Sequence, residues 1–475
     1  MSTLQNSSFL FPKSPPKPKK TQTRIKSSHN FLDLKPESKP ETLSIDIQYH
    51  EPRLKPSCYD AVVIGCGPSG LRLAEQASGR GLKVCCIDPD PLMGWPNNYG
   101  SWVDEFEAMG LGDCLDHTWP LASVVIDDGR RKDLDRPYGR VARGRLKRRL
   151  MEGCVKNGVR FHKAKAWALE HGEFRSKISC SDGSGITTSL VVDASGFSSP
   201  FITYDKLRNC GYQIAHGILA EVDSHPFALD TMLLMDWRDS YLDNEPNLRP
   251  SNAKCPTFLY AMPFSSNLIF LEETSLVARP ILAYDEVKKR MVARLRHAGI
   301  RVRRVIEDEK CVIVMGGPLP TIPQNVMAMG GNSGLVHPAS GYMVARALRY
   351  APVVADAMTE CLGSTRMIRG KAMYTKLWNS LWSREMKRER EFYRFGMETL
   401  LRLDLEGTRR FFDAFFELDP YYWEGYMASR LSMKEIAELS ISLFGHASAL
   451  TKLDIATKCP LPFAQMVWNL AAEIV

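Results

Sequence analysis

Asp60-Ala-Val-Val-Ile-Gly65-Cys-Gly67-Pro68-Ser69-Gly70-Leu-Arg-Leu-Ala74 reads as an apolar strand that turns through glycines into a helix. The spacing is that of a dinucleotide fingerprint: Gly65 permits a tight turn, Gly67 lets the backbone approach a pyrophosphate, and Gly70 lets the helix pack closely on the strand. The helix N-terminus at Pro68 and Ser69 offers N–H groups with no partner inside the helix, so an anion is expected there. A second strand, Leu82-Lys-Val-Cys-Cys-Ile-Asp88, ends in a carboxylate about 20 residues past the glycines, where a ribose hydroxyl is held. The motif serves FAD and NAD alike. Its position ahead of a long remainder that houses a substrate domain favours FAD.

Upstream of the fingerprint the composition changes. Six of the eight net positive charges lie in residues 1–30, which carry no acid and are rich in Ser, Thr, Pro and Lys. Without the apolar core of a secretory signal, this predicts a plastid transit peptide. With its linker it is assigned residues 1–57, expected to be disordered and cleaved before Tyr59. The basic balance is thus a property of the tail and gives no reason to expect nucleic acid. Over 475 residues, 44% hydrophobic and 24% charged content is ordinary for a globular chain of two or three domains. The 12 cysteines form no C-x-x-C pair and read as reduced packing residues, and no metal site is expected. No apolar run reaches the ~18 residues of a membrane span, so any membrane contact is expected to be peripheral.

Downstream, the 94–102 loop is dense in aromatics and turn formers, and Trp95, Tyr99 and Trp102 read either as core or as flavin and substrate contacts. The helix from Arg143 puts Leu146, Leu150 and Cys154 on one face. Arg143 at its head is a candidate FAD contact by analogy with flavin hydroxylase folds. A strand ending in Asp193-Ala-Ser-Gly196 is a second FAD-associated element. Together these predict an α/β, two-dinucleotide-fold flavoprotein. Residues 58–205 form the first part of the FAD domain, 206–306 an inserted antiparallel-sheet substrate domain, 307–370 the return to the FAD domain, and 371–475 a helical region. Strands are expected over 159–168, at the 255–263 and 268–274 hairpin arms, and from Lys310 to Met315; a helix is expected over 285–297. The return segment carries a glycine turn, Gly331-Asn332-Ser-Gly334, whose helix N-terminus should approach the flavin. Asn332 stands where many flavin enzymes have Asp.

Phe270-Leu-Glu272-Glu273-Thr274 sets two adjacent acids at the end of a hydrophobic strand. The period of two sends Phe270 and Glu272 to one face and Glu273 to the other, so only one can address a given cavity unless a bulge intervenes. A carboxyl facing an apolar pocket has a raised pKa and can act as a general acid near neutral pH. Alternatively, both acids pair with surface Lys or Arg.

Beyond the glycine fingerprint, five stretches resemble the plant lycopene beta-cyclase family: WPNNYGSWVDEFEAMGL at 95–111, FLEETSLVARP at 270–280, GGPLPTIPQNV at 316–326, VHPASGYMVAR at 336–346 and TRRFFDAFF at 408–416. Further stretches resemble its chromoplast-type, capsanthin/capsorubin synthase branch. The resemblance implies a redox-neutral carotenoid cyclase or isomerase in the plastid. It would use reduced FAD, with NAD(P)H as electron source, on lycopene or on epoxy-xanthophylls. Neoxanthin formation is a further alternative within the family. The resemblance also implies that Glu272 and Glu273 are both essential, with Glu272 the first-ranked acid, and it adds His337 and Phe270 to the candidate pocket. A flavin monooxygenase or desaturase, or a non-catalytic carotenoid-binding protein, would be the rival outside the family. A product mass discriminates, because only cyclase chemistry yields an isomer.

Overall fold

The computed structural model describes residues 31–37, 41–51, 58–197, 199–205, 210–363 and 368–472. The basic tail over 1–30 and the start of the inserted domain at Lys206 lie outside these residues. β1 (Cys58–Ile64), α1 (Pro68–Gly79), β2 (Val84–Asp88) and β3 (Gly185–Asp193) form the nucleotide unit. β1 lies between β2 and β3, parallel to both. Arg160–Lys163 extends the sheet beside β2, and antiparallel Ser176–Cys180 and Ala166–His171 extend it past β3. The central strands are buried on both faces, which accounts for the unbroken apolar runs at 61–64 and 190–192. Met327–Ala328 pairs with β3 and delivers the second glycine turn to its end, while helix Val344–Leu362 packs on α1.

A second sheet is built from β4 (Gly211–Val222), β5 (Thr257–Pro263), β6 (Leu268–Ser275) and β7 (Val302–Met315) in the order β7-β4-β6-β5. It continues through Thr231–Asp236, Leu121–Asp127 and Arg130–Leu134. Behind it, α2 (Tyr284–His297) buries Val287, Met291 and Leu295, and with them Arg290 and Arg294. The helices after Arg384 close the far end with Phe412, Phe415 and Phe416. There Ser432 and Glu435 form the reciprocal cap that the S-x-x-E pattern predicts.

The structure differs from the sequence reading in four places. Residues 121–134 belong to the second sheet, because Leu121–Asp127 pairs in parallel with Thr231–Asp236, a long-range pairing with no local signature. β7 begins at Val302, so the boundary expected at 306/307 falls inside a strand. Arg303, Arg304, Glu307 and Asp308 mask its alternation, as charge commonly does on an edge strand. The strand expected over 159–168 is two, Arg160–Lys163 and Ala166–His171, on opposite edges of the first sheet. The disorder expected up to residue 57 does not extend to the described residues before it. Phe31 is only 5% exposed, Leu43 and Ile47 are buried, and the 41–51 segment bonds to Leu92 and Phe161 through the backbone amides of Leu43 and His50.

Candidate functional site

The fingerprint glycines answer three different steric demands. Gly65 has φ +104°, and a Cβ there would lie 2.7 Å from the Ala194 carbonyl; at Gly70 it would lie 2.1 Å from the carbonyl oxygen of Gly65. A Cβ on Gly67 would instead meet only open space, as it would on Gly196. α1 starts at Gly67 and Pro68 with no side-chain cap, so its first N–H groups are left for a ligand. Asp88 stands at the end of β2, where one oxygen accepts the Cys66 N–H at 2.7 Å and the other that of Asp90. Ser69 and Gly331 complete this end, which fits a dinucleotide pyrophosphate and ribose.

From here a cavity of about 890 Å³ runs to the second sheet. Gly65, Gly67, Pro68, Ser69, Asp88, Gly196 and Gly331 line it at the glycine end, and Tyr99, Trp102 and Glu272 line it further along. Trp237, Phe258, Phe412 and Phe415 close its apolar end. This is ample for a small-molecule site.

Several expected residues stand behind the wall. The Asp193 carboxylate accepts from the backbone N–H and the hydroxyl of Ser195, from the Ser199 hydroxyl, and from the Asn332 side-chain amide at 3.1 Å. An Asp at 332 would set two carboxylates against each other there, which explains the Asn. Arg143 is taken up by both oxygens of Glu307 at 2.7 Å and by the Pro96 carbonyl. Trp95 donates to the Cys66 carbonyl and braces the glycine turn. Gly334, at φ +81°, packs against Leu319. Phe270, on the acid strand itself, is wholly buried against Tyr260, and His337 is buried against Tyr393 and Tyr426. The Nδ1 of His337 accepts the N–H groups of Ala339 and Ser340 and so shapes the turn that does line the cavity.

The two acids of the hairpin part company as strand geometry demands. Glu272 opens on the cavity and accepts the Thr274 hydroxyl at 2.6 Å. Glu273, on the other face, is fully buried and bound by Arg294 through Nε at 2.8 Å and Nη2 at 3.1 Å, with the Thr257 hydroxyl also donating.

A third acid, Glu309, was missed by the sequence reading. Register aligns Tyr260, Glu272, Gly217 and Glu309 in one row across β5, β6, β4 and β7. Glu309 lines the same cavity and accepts the Asn98 N–H at 2.6 Å. Burial first, then the charge of Glu272, pushes its carboxyl up to about 8; burial raises Glu272 as well. The alternation Glu307, Glu309, Cys311 carries the signal for it, outside the strand expected from Lys310.

His162, Cys180 and Asp182 bring possible ligand atoms within 4.8 Å of one another. The His162 Nε2 is already shared with the Ser184 hydroxyl at 2.8 Å and Asp182 at 3.2 Å, so the cluster is hydrogen-bonded within itself.

The fold and these residues have known counterparts. A reductase-like protein of the geranylgeranyl bacteriochlorophyll reductase type from Thermoplasma acidophilum aligns with a TM-score of 0.58 at 16% identity, over 87% of this chain and 99% of that one. The halogenase PltM, solved with phloroglucinol and FAD, aligns at 0.53 and 12% identity, over 88% and 95%. The likeness to both is one of fold. Among sequence relatives, capsanthin/capsorubin synthase of Citrus sinensis is 65% identical over 457 residues, 95% of this chain and 90% of that one. Neoxanthin synthase of Solanum lycopersicum is 63% identical over 99% and 95%, and lycopene beta cyclase of Arabidopsis thaliana 53% over 94% and 90%. The family model described as lycopene cyclase protein matches residues 60–453, and the chain belongs to the lycopene cyclase family.

Proposed function

We propose that this protein is a plastid carotenoid cyclase of the lycopene cyclase family, in which Glu272 protonates the end of a polyene or the oxygen of an epoxide. The observation that carries this is a single cavity with a dinucleotide turn at one end, an acid with a raised pKa in its wall and an aromatic lining beyond it. FAD fits the glycine end: α1 would hold its pyrophosphate and Asp88 a ribose hydroxyl. In its reduced form, regenerated by NAD(P)H, FAD supplies an electron-rich ring that favours a nearby cation.

With lycopene, the Glu272 proton adds to the terminal double bond, the neighbouring alkene closes on the cation, and a proton leaves to give the β ring. With an epoxy-xanthophyll, the same proton opens the C–O bond, a ring carbon migrates, and the oxygen gives its proton back as a ketone forms. Both reactions conserve every atom. The aromatic walls exclude water, which would otherwise trap the cation as an alcohol. The greater identity to a capsanthin/capsorubin synthase and a neoxanthin synthase, 65% and 63% against 53% for a lycopene beta cyclase, supports the epoxy-xanthophyll over lycopene as substrate. The protein supplied with lycopene and, separately, with antheraxanthin should give products of unchanged mass. A gain of oxygen or loss of hydrogen would indicate monooxygenase or desaturase chemistry instead.

Among the described residues no helix is long and apolar enough to cross a membrane. The last three helices nevertheless expose Ile441 at 74%, Leu461 at 81% and Trp468 at 72%, with Lys434, Lys452 and Lys458 nearby in sequence. This composition suits peripheral docking on a plastid membrane or plastoglobule, from which an oily substrate is drawn. Leu461→Glu with Trp468→Glu should abolish co-flotation with anionic vesicles while leaving the unfolding midpoint unchanged.

A further inference from the structure

We propose that Glu309 is the positioning partner of Glu272, the two carboxyls holding one proton between them so that the same pair serves as acid in the first step and base in the last. This rests on the cyclase reading and extends it to a residue outside the hairpin motif.

The geometry begins with Gly217, which lies between the two acids on the middle strand of the row. A Cβ there would meet the Phe270 ring at 2.8 Å and the Glu309 Cγ at 3.0 Å. The missing side chain is therefore the space over β4 into which Glu309 leans towards Glu272. The outer oxygens are also fixed, Glu272 by the Thr274 hydroxyl and Glu309 by the Asn98 N–H, with Asn98 itself held by Arg140 at 3.0 Å.

Two carboxyls in contact in a dry site do not both ionise. Of the titratable groups facing the pair, Tyr260 and Tyr99 are kept neutral by burial, as are Tyr138 and Cys311. Tyr284, on the opposite face of the sheet, is neutral as well. Of the cations nearby, Arg143 is bound to Glu307, Arg140 to Asn98, and Lys310 lies over the Tyr284 ring. The proton balance then closes locally. The Glu272 O–H bond breaks as its proton forms a C–H or O–H bond with the substrate, and the two carboxylates left behind are balanced by the positive charge on the substrate. After rearrangement, the proton released from carbon or oxygen returns to that pair, with no electrons exchanged.

The test uses Glu309→Gln in the full chain. Gln keeps the volume and the oxygen that accepts from Asn98, but it removes one of the two like charges whose repulsion keeps a proton in the pair. The alkaline limb of the pH–rate profile should move down by about one unit or more, with activity recovered at the acid end. An unmoved limb, or an equal loss at every pH, overturns the proposal. Independently of any substrate, wild type at pH 7 should show the infrared band of a protonated carboxyl, which either Glu272→Gln or Glu309→Gln removes. Absence of that band, or its survival in both variants, overturns the proposal even if a variant folds too poorly to assay. If wild type gives no isomer at any pH, the cyclase reading fails, and the infrared result still judges the pair.

Discussion

Glu272→Gln is expected to give a folded protein that retains its flavin and forms no isomerised carotenoid, a loss of about 10²–10⁴-fold if general acid catalysis carries its usual share. Gln matches Glu in shape, and its oxygen still accepts the Thr274 hydroxyl, but it has no acidic proton to give. The side chain opens on the cavity, and the Asn98 N–H still bonds Glu309, so the fold should tolerate the substitution. Stability should even favour the variant at alkaline pH. A carboxyl raised on folding binds its proton more tightly in the native than in the unfolded chain. Its stabilising contribution is complete below the ordinary carboxylate pKa and is lost as pH rises through the raised value. Gln carries no such dependence, so the wild-type unfolding midpoint should fall relative to that of the variant as pH rises above the ordinary carboxylate value. Pigment identification from lycopene and antheraxanthin checks the chemistry. An isomeric product from the variant would remove Glu272 as the donor.

The parts of this site that the chain spells out locally were readable, and the parts made by pairing across strands were not. The Gly65–Gly67–Gly70 spacing needs only a strand, a turn and a helix, all within one stretch, and each glycine has the steric reason the motif assigns to it. The opposite faces of Glu272 and Glu273 followed from the strand period alone. Glu309 lies 37 positions beyond Glu272 and reaches it only through β4, so register decides their proximity and no local pattern announces it. The charge run that conceals β7 hid it further. Asp193 and Asn332 show another limit: both belong to recognisable flavin motifs, yet the Asn332 NH2 group is spent on Asp193 and the Asp193 carboxylate on the loop, leaving the buried Asn332 Oδ1 without a protein partner among the described residues. A motif marks where the backbone must go, which is a different matter from which side chains face the ligand. Phe31 and Leu43 were lost to a compositional argument that is sound for the basic tail but says nothing about isolated apolar residues that find a sheet to cover.

Glu273→Gln should fail for another reason, and the contrast separates fold from chemistry in two adjacent acids. Glu273 is fully buried, and Arg294 donates to both of its oxygens from α2 while stacking over Tyr241 at 4.1 Å and donating to the Arg238 carbonyl. Removing the negative member leaves a guanidinium in the interior with no counter-charge at that position, a change that costs about 3–5 kcal/mol in buried pairs. Urea unfolding should show this loss, and product formed in cells should fall with the amount of folded protein rather than per folded molecule. Because an ion pair with both members buried is often no more stable than an apolar pair of similar volume, Glu273→Leu combined with Arg294→Met should recover much of the lost stability and, with it, product formation. Recovery of product in that double variant would assign Glu273 to the packing of α2 against the sheet. If the double variant folds and still yields no product, Glu273 takes part in the reaction, and the division of labour between the two faces of β6 is wrong.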